Sequence, residues 1–281
     1  MDTFSNQIEL RDATDSKRAW HEGSFEGLCY RVDGAGARRL ALIHELGGSM
    51  ASWDAVTRRL AADAHVMRYD QRGQGRSALA QTPYSLHDQV ADLHALLDAM
   101  GANEPLWLVA AAAGATIAVS FAANHRERVK GLVLCGPALD IDPARRHYLL
   151  ERAQSARQQG MQSIVDVTLA NSWPAPLRID THAFDTYRDR FLAQDANGYA
   201  HASEALSEIE LSSALASLDC PCLFLAGESD LQRPPHRVAM QAKRVAGASF
   251  AVVPWAGHLM AVQQPDEVAA RIEEFIAENE G

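Results

Sequence analysis

Cysteine, positive charge and long apolar runs are all scarce in this 281-residue chain, and each scarcity removes a class of function. The four cysteines (Cys29, Cys135, Cys220 and Cys222) follow no disulfide or metal pattern. In Cys220-Pro221-Cys222 one residue separates the sulfurs, whereas zinc ligands are spaced by about two to four, and no Cys/His pair follows. Reduced thiols, a cytoplasmic setting and the absence of a bound metal are therefore expected. Lysine and arginine total 26 against 36 acidic residues, a formal charge of −10 with no basic stripe, which argues against nucleic acid. No run of 18 apolar residues exists to span a membrane. The opening MDTFSNQIELRDATDSKRAW has no apolar core of a secretion signal. A small-molecule substrate is the remaining expected partner, and a homodimer is left open.

What the chain does have is alternation. Strand-like runs appear at LCYRV (28–32), LALIH (40–44), HVMRYD (65–70), LWLVA (106–110), GLVLCG (131–136), CLFLAG (222–227) and SFAVVP (249–254). Helical periodicity occupies 52–62, 85–100, 115–125 and 265–280, with Ser85 and Asp88 forming a capping box and Pro265 in a first turn. Strands alternating with helices predict an α/β fold with a mostly parallel sheet covered on both faces. From 138 to 214 only helical patterns occur, among them a segment capped by Asp142 and closed by Gly160. An all-helical insertion at the carboxyl ends of the strands is read as a lid over a ligand site. The expected organisation is an arm or short leading strand (1–25), a core (26–137 and 215–281) and a helical cap (138–214).

The segment VAAAAGA (109–115) links a strand to a helix through uniformly small residues. A nucleophile elbow, G-x-S-x-G, needs small residues two before, two after and three after the nucleophile, because that residue sits in a strained turn. Ala110, Gly114 and Ala115 fill those places, which puts Ala112 at the nucleophile position. His44-Glu45-Leu46-Gly47-Gly48 follows the strand LALI, so the Leu46 and Ala113 N–H groups are candidates for an oxyanion hole. Gly227-Glu228-Ser229-Asp230 and Gly257-His258-Leu259 each follow a later strand. The order nucleophile, acid, histidine makes Asp230 the orienting acid and His258 the general base. Glu228, Asp140 and Asp142 are weaker candidates for the acid. Asp70-Gln71-Arg72-Gly73-Gln74-Gly75-Arg76-Ser77 lacks the G-K-[ST] of a phosphate cradle and is read as a structural turn. His87 and His94 share a helix at a spacing of seven and are read as surface or packing residues.

Together HELGG, DQRGQGRS, VAAAAGA, GESD and GHL resemble the α/β-hydrolase superfamily, over nearly the whole chain after about residue 26. Within it, LANSWPAP (169–176) and FLAQDANGYAHASEAL (191–206) resemble the lid of 3-oxoadipate enol-lactonases. The resemblance implies an α/β-hydrolase fold with a cap. It also implies a cytoplasmic, cofactor-free serine hydrolase of a small carboxylic ester or lactone, used in catabolism of aromatic or related compounds. Candidate substrate contacts are Glu45, Trp173, Phe184 and Arg188; Arg145, Arg146, Arg178 and Arg190 are further cations able to meet a carboxylate. The chain departs from the pattern at Ala112, at Ala110 in place of glycine, and at Gly136-Pro137-Ala138, which lacks the tryptophan of the enol-lactonases.

Ser→Ala removes one oxygen and leaves a tight turn intact, and in a serine hydrolase loss of the nucleophile costs about 2 × 10⁶ in kcat. Because His258, Asp230 and both backbone donors remain, Ala112 reads as a serine hydrolase's nucleophile position disarmed by Ser→Ala. Two alternatives stand beside it. One is an enzyme in which His258 activates water or substrate directly, for C–C or amide hydrolysis, lyase or cofactor-free oxygenase chemistry. The other is a non-catalytic small-ligand receptor. Ser120 lies about two turns into the helix and cannot replace the nucleophile.

Overall fold

The computed structural model describes residues 11–12 and 20–280; most of the expected N-terminal arm lies outside the described residues. Among the described residues nine strands form one sheet: β1 (Arg11–Asp12), β2 (Trp20–Phe25), β3 (Leu28–Asp33), β4 (Arg38–Ile43), β5 (Ala64–Tyr69), β6 (Leu106–Ala111), β7 (Val129–Cys135), β8 (Cys222–Gly227) and β9 (Ser249–Val253). Their spatial order is β1-β2-β3-β5-β4-β6-β7-β8-β9. The first three strands and the β3–β5 junction are antiparallel, and every pairing from β5 across to β9 is parallel. The helices are α1 (Asp54–Leu60), α2 (Leu86–Ala99), α3 (Gly114–Asn124), α4 (Pro143–Gln159), α5 (Val165–Ser172), α6 (Thr181–Leu192), α7 (Ala196–Ser207), α8 (Ser212–Ala216), α9 (Pro235–Ala242), α10 (Met260–Gln263) and α11 (Pro265–Asn279). This is the expected α/β-hydrolase architecture.

The central strands need both faces covered, because their residues are apolar without alternation. All six residues of β6 (LWLVAA) and of β8 (CLFLAG) are buried. One face packs Leu108, Leu132 and Phe224 against Leu93 and Leu96 of α2, Phe121 of α3 and Val238 of α9. The other packs Leu42, Val109 and Leu225 against Val56 and Leu60 of α1 and Ile272 and Ile276 of α11. Each such side chain contributes about 1.5–3 kcal/mol of hydrophobic stabilisation. The Ser85 capping box that starts α2 is present: its hydroxyl accepts from the Asp88 N–H, and Asp88 accepts from the Ser85 N–H.

Helices α4 to α8 lie between β7 and β8. They have a core of their own, in which Trp173, Tyr187, Phe191 and Tyr199 pack with Ile164 and Leu169, and Leu259 of the body joins it. Asp142 caps α4 by accepting from the Arg145 N–H, as expected, and Gly160 ends the helix at φ +77°. Residues 20–25, at the end of the stretch read as an arm or a short leading strand, form β2 in full register with β3. Replacing Ser85 by alanine removes the reciprocal cap of α2 and is expected to cost about 1 kcal/mol, measured as a lower urea midpoint at unchanged slope.

Candidate active site

The backbone at Ala112 has φ +47°, a left-handed conformation that costs an L-residue roughly 1–2 kcal/mol. Neighbouring backbone holds it there. The Ala112 N–H donates to the Cys135 carbonyl (2.9 Å), and the Ala112 carbonyl accepts from the N–H groups of Ala115 (3.2 Å) and Ala138 (3.1 Å). A Cβ on Gly114 would lie 2.6 Å from the His44 carbonyl oxygen and 2.7 Å from that of Ile43, so only glycine lets α3 start against the end of β4. Ala110 and Ala115 are fully buried beside the turn. The small residues of VAAAAGA thus make a strand–turn–helix junction with residue 112 at its apex. Cys135 offers no substitute nucleophile, because burial pushes its thiol up to about 12.

Two further loops at the same sheet edge carry the acid and the histidine. Asp230 follows β8 and is buried; its Oδ2 lies 2.8 Å from His258 Nδ1, and its Oδ1 accepts from the N–H groups of Gln232 (2.8 Å) and Arg233 (2.9 Å). Desolvation would raise this carboxyl's pKa, but the His258 charge and hydrogen bond and the two N–H donors outweigh it and hold the acid below its usual range. His258 follows β9 and donates its N–H to the Ser172 carbonyl of α5 (2.9 Å), which ties the imidazole loop to the cap. With Nδ1 engaged, Nε2 is left without a partner among the described residues. Gly136, at φ +54°, makes this pair possible: a Cβ there would sit 3.2 Å from Asp230 Oδ2 and 3.3 Å from His258 Nδ1. The weaker acid candidates are occupied elsewhere. Glu228 accepts from the Trp255 N–H, Asp140 from Arg233 and Gln241, and Asp142 caps α4.

The loop after β4 is fixed by His44, whose Nδ1 lies 2.8 Å from the Glu45 carbonyl while Nε2 accepts from the Gln71 N–H (3.0 Å), the pattern of a neutral Nδ1–H ring. Gly47 N–H donates to Gln74 Oε1 (2.8 Å) and Gly48 N–H to the Glu45 carbonyl (3.0 Å). Among the described residues the N–H groups of Leu46 and Ala113 have no acceptor, and both residues line the cavity that contains Ala112 and His258. The 70–77 turn is built on Asp70, whose carboxylate accepts from the Met50 and Arg76 N–H groups.

That cavity lies between the sheet edge and the cap helices. Glu45 and Arg145 line it, as expected candidates, together with Arg152, Tyr199 and Arg233, which sequence reasoning missed. Glu45 is buried, and its Oε1 accepts from the hydroxyls of Ser52 (2.7 Å) and Tyr187 (2.9 Å), so it joins this loop to α6. Burial, with Glu45 beside it, raises the Tyr187 phenol well above its ordinary range. The expectation for the other three contacts is revised, since none lies on the cavity wall. Trp173 is buried in the cap core with its indole N–H donated to the Leu177 carbonyl, and Phe184 stacks edge-on against it. Arg188 points to Asp166 on the cap surface (3.7 Å). Arg146 and Arg178 are also engaged elsewhere, with Glu208 and with cap carbonyls. The seven-residue spacing from Arg145 to Arg152, which puts both on one face of α4, was the available signal for the missed Arg152.

No helix among the described residues is long and apolar enough to cross a membrane, and no cluster of three His, Cys, Asp or Glu side chains there has metal-binding geometry. A family model described as serine aminopeptidase, S33, matches residues 37–262. A putative carbamate hydrolase of Caulobacter segnis is 29% identical over 258 residues, covering 87% of this chain and 94% of that protein. A pimeloyl-[acyl-carrier protein] methyl ester esterase of Edwardsiella ictaluri is 30% identical over 263 residues, covering 89% and 98%. The crystal structure of an enol-lactonase from Burkholderia xenovorans superposes with a TM-score of 0.84 at 27% identity, over 89% of this chain and 96% of that one.

Two outcomes test this geometry. Gly114→Ala drives a methyl into two backbone carbonyls and is expected to cost about 1–3 kcal/mol, read by chemical denaturation. Asp230 has a folded pKa below its unfolded value, so the stability it confers is present above about pH 4 and is lost as pH falls through the lower folded value. Asp230→Asn should therefore flatten the acid limb of stability against pH, and an unchanged limb would show that the carboxylate is not held in this way.

Proposed function

The chain belongs to the α/β-hydrolase family described as serine aminopeptidase, S33, and from that premise we propose that it is a hydrolase of a small carboxylic ester or lactone whose nucleophile position is occupied by alanine. The observation that carries this reading is the left-handed backbone of Ala112 in the same cavity as the Asp230–His258 pair. A strained residue is expected where a side chain must be presented at a turn apex, and alanine gains nothing from being presented. The carbamate hydrolase, methyl ester esterase and enol-lactonase relatives all act on acyl groups by their names, which supports the reaction class and leaves the substrate to experiment.

In the proposed mechanism a serine at 112 attacks the acyl carbon while His258 Nε2 takes its proton. Asp230 holds the imidazole through Nδ1 and stabilises its protonated form. The Leu46 and Ala113 N–H groups, free of other acceptors, receive the oxyanion of the tetrahedral intermediate. His258 then protonates the leaving oxygen and activates water to release the acid. Helices α4 to α7, in residues 138–214, act as the lid that excludes bulk water, with the Ser172–His258 and Tyr187–Glu45 hydrogen bonds coupling lid to core. The role assigned is catabolic, with aromatic breakdown products as the expected source of substrate.

Ala112→Ser is expected to raise turnover on a panel of small esters, enol-lactones and β-diketones by several orders of magnitude, up to about 10⁶. Adding Asp230→Asn to that variant should lower kcat by about 10⁴. Turnover by the alanine form, unimproved by serine, would overturn the covalent route in favour of water or substrate activation by His258. Ligand binding with no turnover in either form would favour a receptor.

A further inference from the structure

Glutamine is ordinarily a surface residue, yet Gln71, Gln74, Gln89 and Gln194 are all buried around the DQRGQGRS turn. Each works on main chain or on another of the four. Gln74 Oε1 accepts from the Gly47 N–H (2.8 Å), and Gln71 Nε2 donates to the His44 carbonyl (2.6 Å). The Gln71 main-chain N–H donates to His44 Nε2 (3.0 Å), and Gln89 of α2 braces Gln71 by donating to its Oε1 (3.2 Å). Gln194, between α6 and α7, accepts from the Gly75 N–H (2.9 Å). A neutral amide can accept and donate in this way without burying a charge.

From the turn a short chain of hydrogen bonds leads to the oxyanion loop. With Nε2 accepting from Gln71, the His44 ring carries its proton on Nδ1, which donates to the Glu45 carbonyl (2.8 Å). The same carbonyl accepts from the Gly48 N–H (3.0 Å). In a planar trans peptide the carbonyl and the N–H point opposite ways, so holding the Glu45 oxygen fixes the direction of the Leu46 N–H. The peptide on the other side of Leu46 is held through the Gly47 N–H and Gln74. The cap then presses on both parts. A Cβ on Gly198 of α7 would lie 1.8 Å from the Gly73 carbonyl oxygen, and one on Gly47 would lie 2.6 Å from Phe191 Cε2. Residues 191–198 of the cap therefore touch the loop and the turn at once.

We infer that the DQRGQGRS turn aims the Leu46 N–H at the reacting acyl oxygen, with Gln71 and Gln74 as positioning residues and Gln194 as the cap's hold on the turn. Neither Gln71 nor Gln74 lines the cavity of Ala112 and His258; they act through His44 and Gly47. A backbone donor on a loop rewards the transition state only if it is aimed before charge develops, which is what this bracing supplies. Because Gln194 and Gly198 bear on the turn, the aim depends on a seated cap. A displaced cap would loosen the oxyanion donor as well as admit water. The use of the donor rests on the hydrolase reading. The aim itself is measurable in the alanine-112 chain without turnover, so the two can fail separately.

The experiment is residue-resolved amide hydrogen exchange on the full chain. Gln74→Met keeps the side chain's length and removes the acceptor, so exchange at Gly47 and Gly48 should quicken roughly tenfold. The amides of Ile272 and Ile276 in α11, remote from the turn, should stay as they are. Gln194→Ala touches neither glycine, yet should quicken both by a smaller factor; it is also the second variant if Gln74→Met does not fold. Added to Ala112→Ser, Gln74→Met should lower kcat by about 10²-fold with KM little changed, and Gln74→Glu, which keeps an acceptor, should recover part of the loss. Unchanged exchange at the two glycines in either variant, or an equal rise in α11, would overturn the inference. So would a kcat unmoved by Gln74→Met in an active Ala112→Ser chain.

Discussion

The geometry of this protein turns on one backbone conformation, the positive φ of Ala112 between β6 and α3. An alanine left to itself avoids that region by roughly 1–2 kcal/mol, so the surroundings must impose it. They do so with three backbone hydrogen bonds to Ala112 and with the contact of Gly114 against the carbonyls at the end of β4. The turn is over-determined by main chain, and no side-chain oxygen at 112 is needed to maintain it. Loss of a hydroxyl there can abolish chemistry while leaving the pocket, the helix start and the Ala113 N–H where they are.

The rest of the site follows from the sheet. Because β4, β6, β7, β8 and β9 run parallel, their carboxyl ends share one edge, and the loops leaving that edge supply residues 44–48, 112–113, 136–138, 230–233 and 258. Strand interiors that are apolar on both faces make this edge rigid, since any slip in register would expose buried leucine, valine or phenylalanine. The cap is held to the edge by polar contacts. Tyr187 reaches Glu45, and the Ser172 carbonyl accepts from the His258 N–H. A lid joined in this way positions the imidazole loop as well as covering it.

Features decided within one strand–loop–helix segment were legible in the sequence. The apolar runs, the Ser85 and Asp142 caps and the spacing of small residues around Ala112 each depend on neighbours in the chain, and each is found as expected. Features decided between segments were not legible. The strand WHEGSF has mixed polarity and one exposed position, and pairing with β3 is what makes it a strand. Helix α9 opens on Pro-Pro and spans eight residues, too short for a periodic signal to stand out from the loop before it. Trp173 looked like a pocket wall because large aromatics often are; it is in the cap core because its indole N–H finds the Leu177 carbonyl there. Beyond the spacing of Arg152, neither it nor Arg233 carries a local signal in the sequence, and only the folded chain brings α4 and the loop after β8 together around one cavity.

On the proposed reading the cavity has two polar ends with different work. The Leu46 and Ala113 N–H groups can reward only the charge that develops on an acyl oxygen during reaction, whereas the rest of the cavity wall meets parts of the substrate whose charge does not change. The first kind of contact lowers the barrier, and the second sets affinity and orientation. Removing the nucleophile disables the use of the first while leaving the second intact. With alanine at 112, the same pocket would remain a binding site for the compounds that a serine would allow it to cleave. Enzyme and receptor are then separated here by one oxygen atom on a backbone already bent to present it.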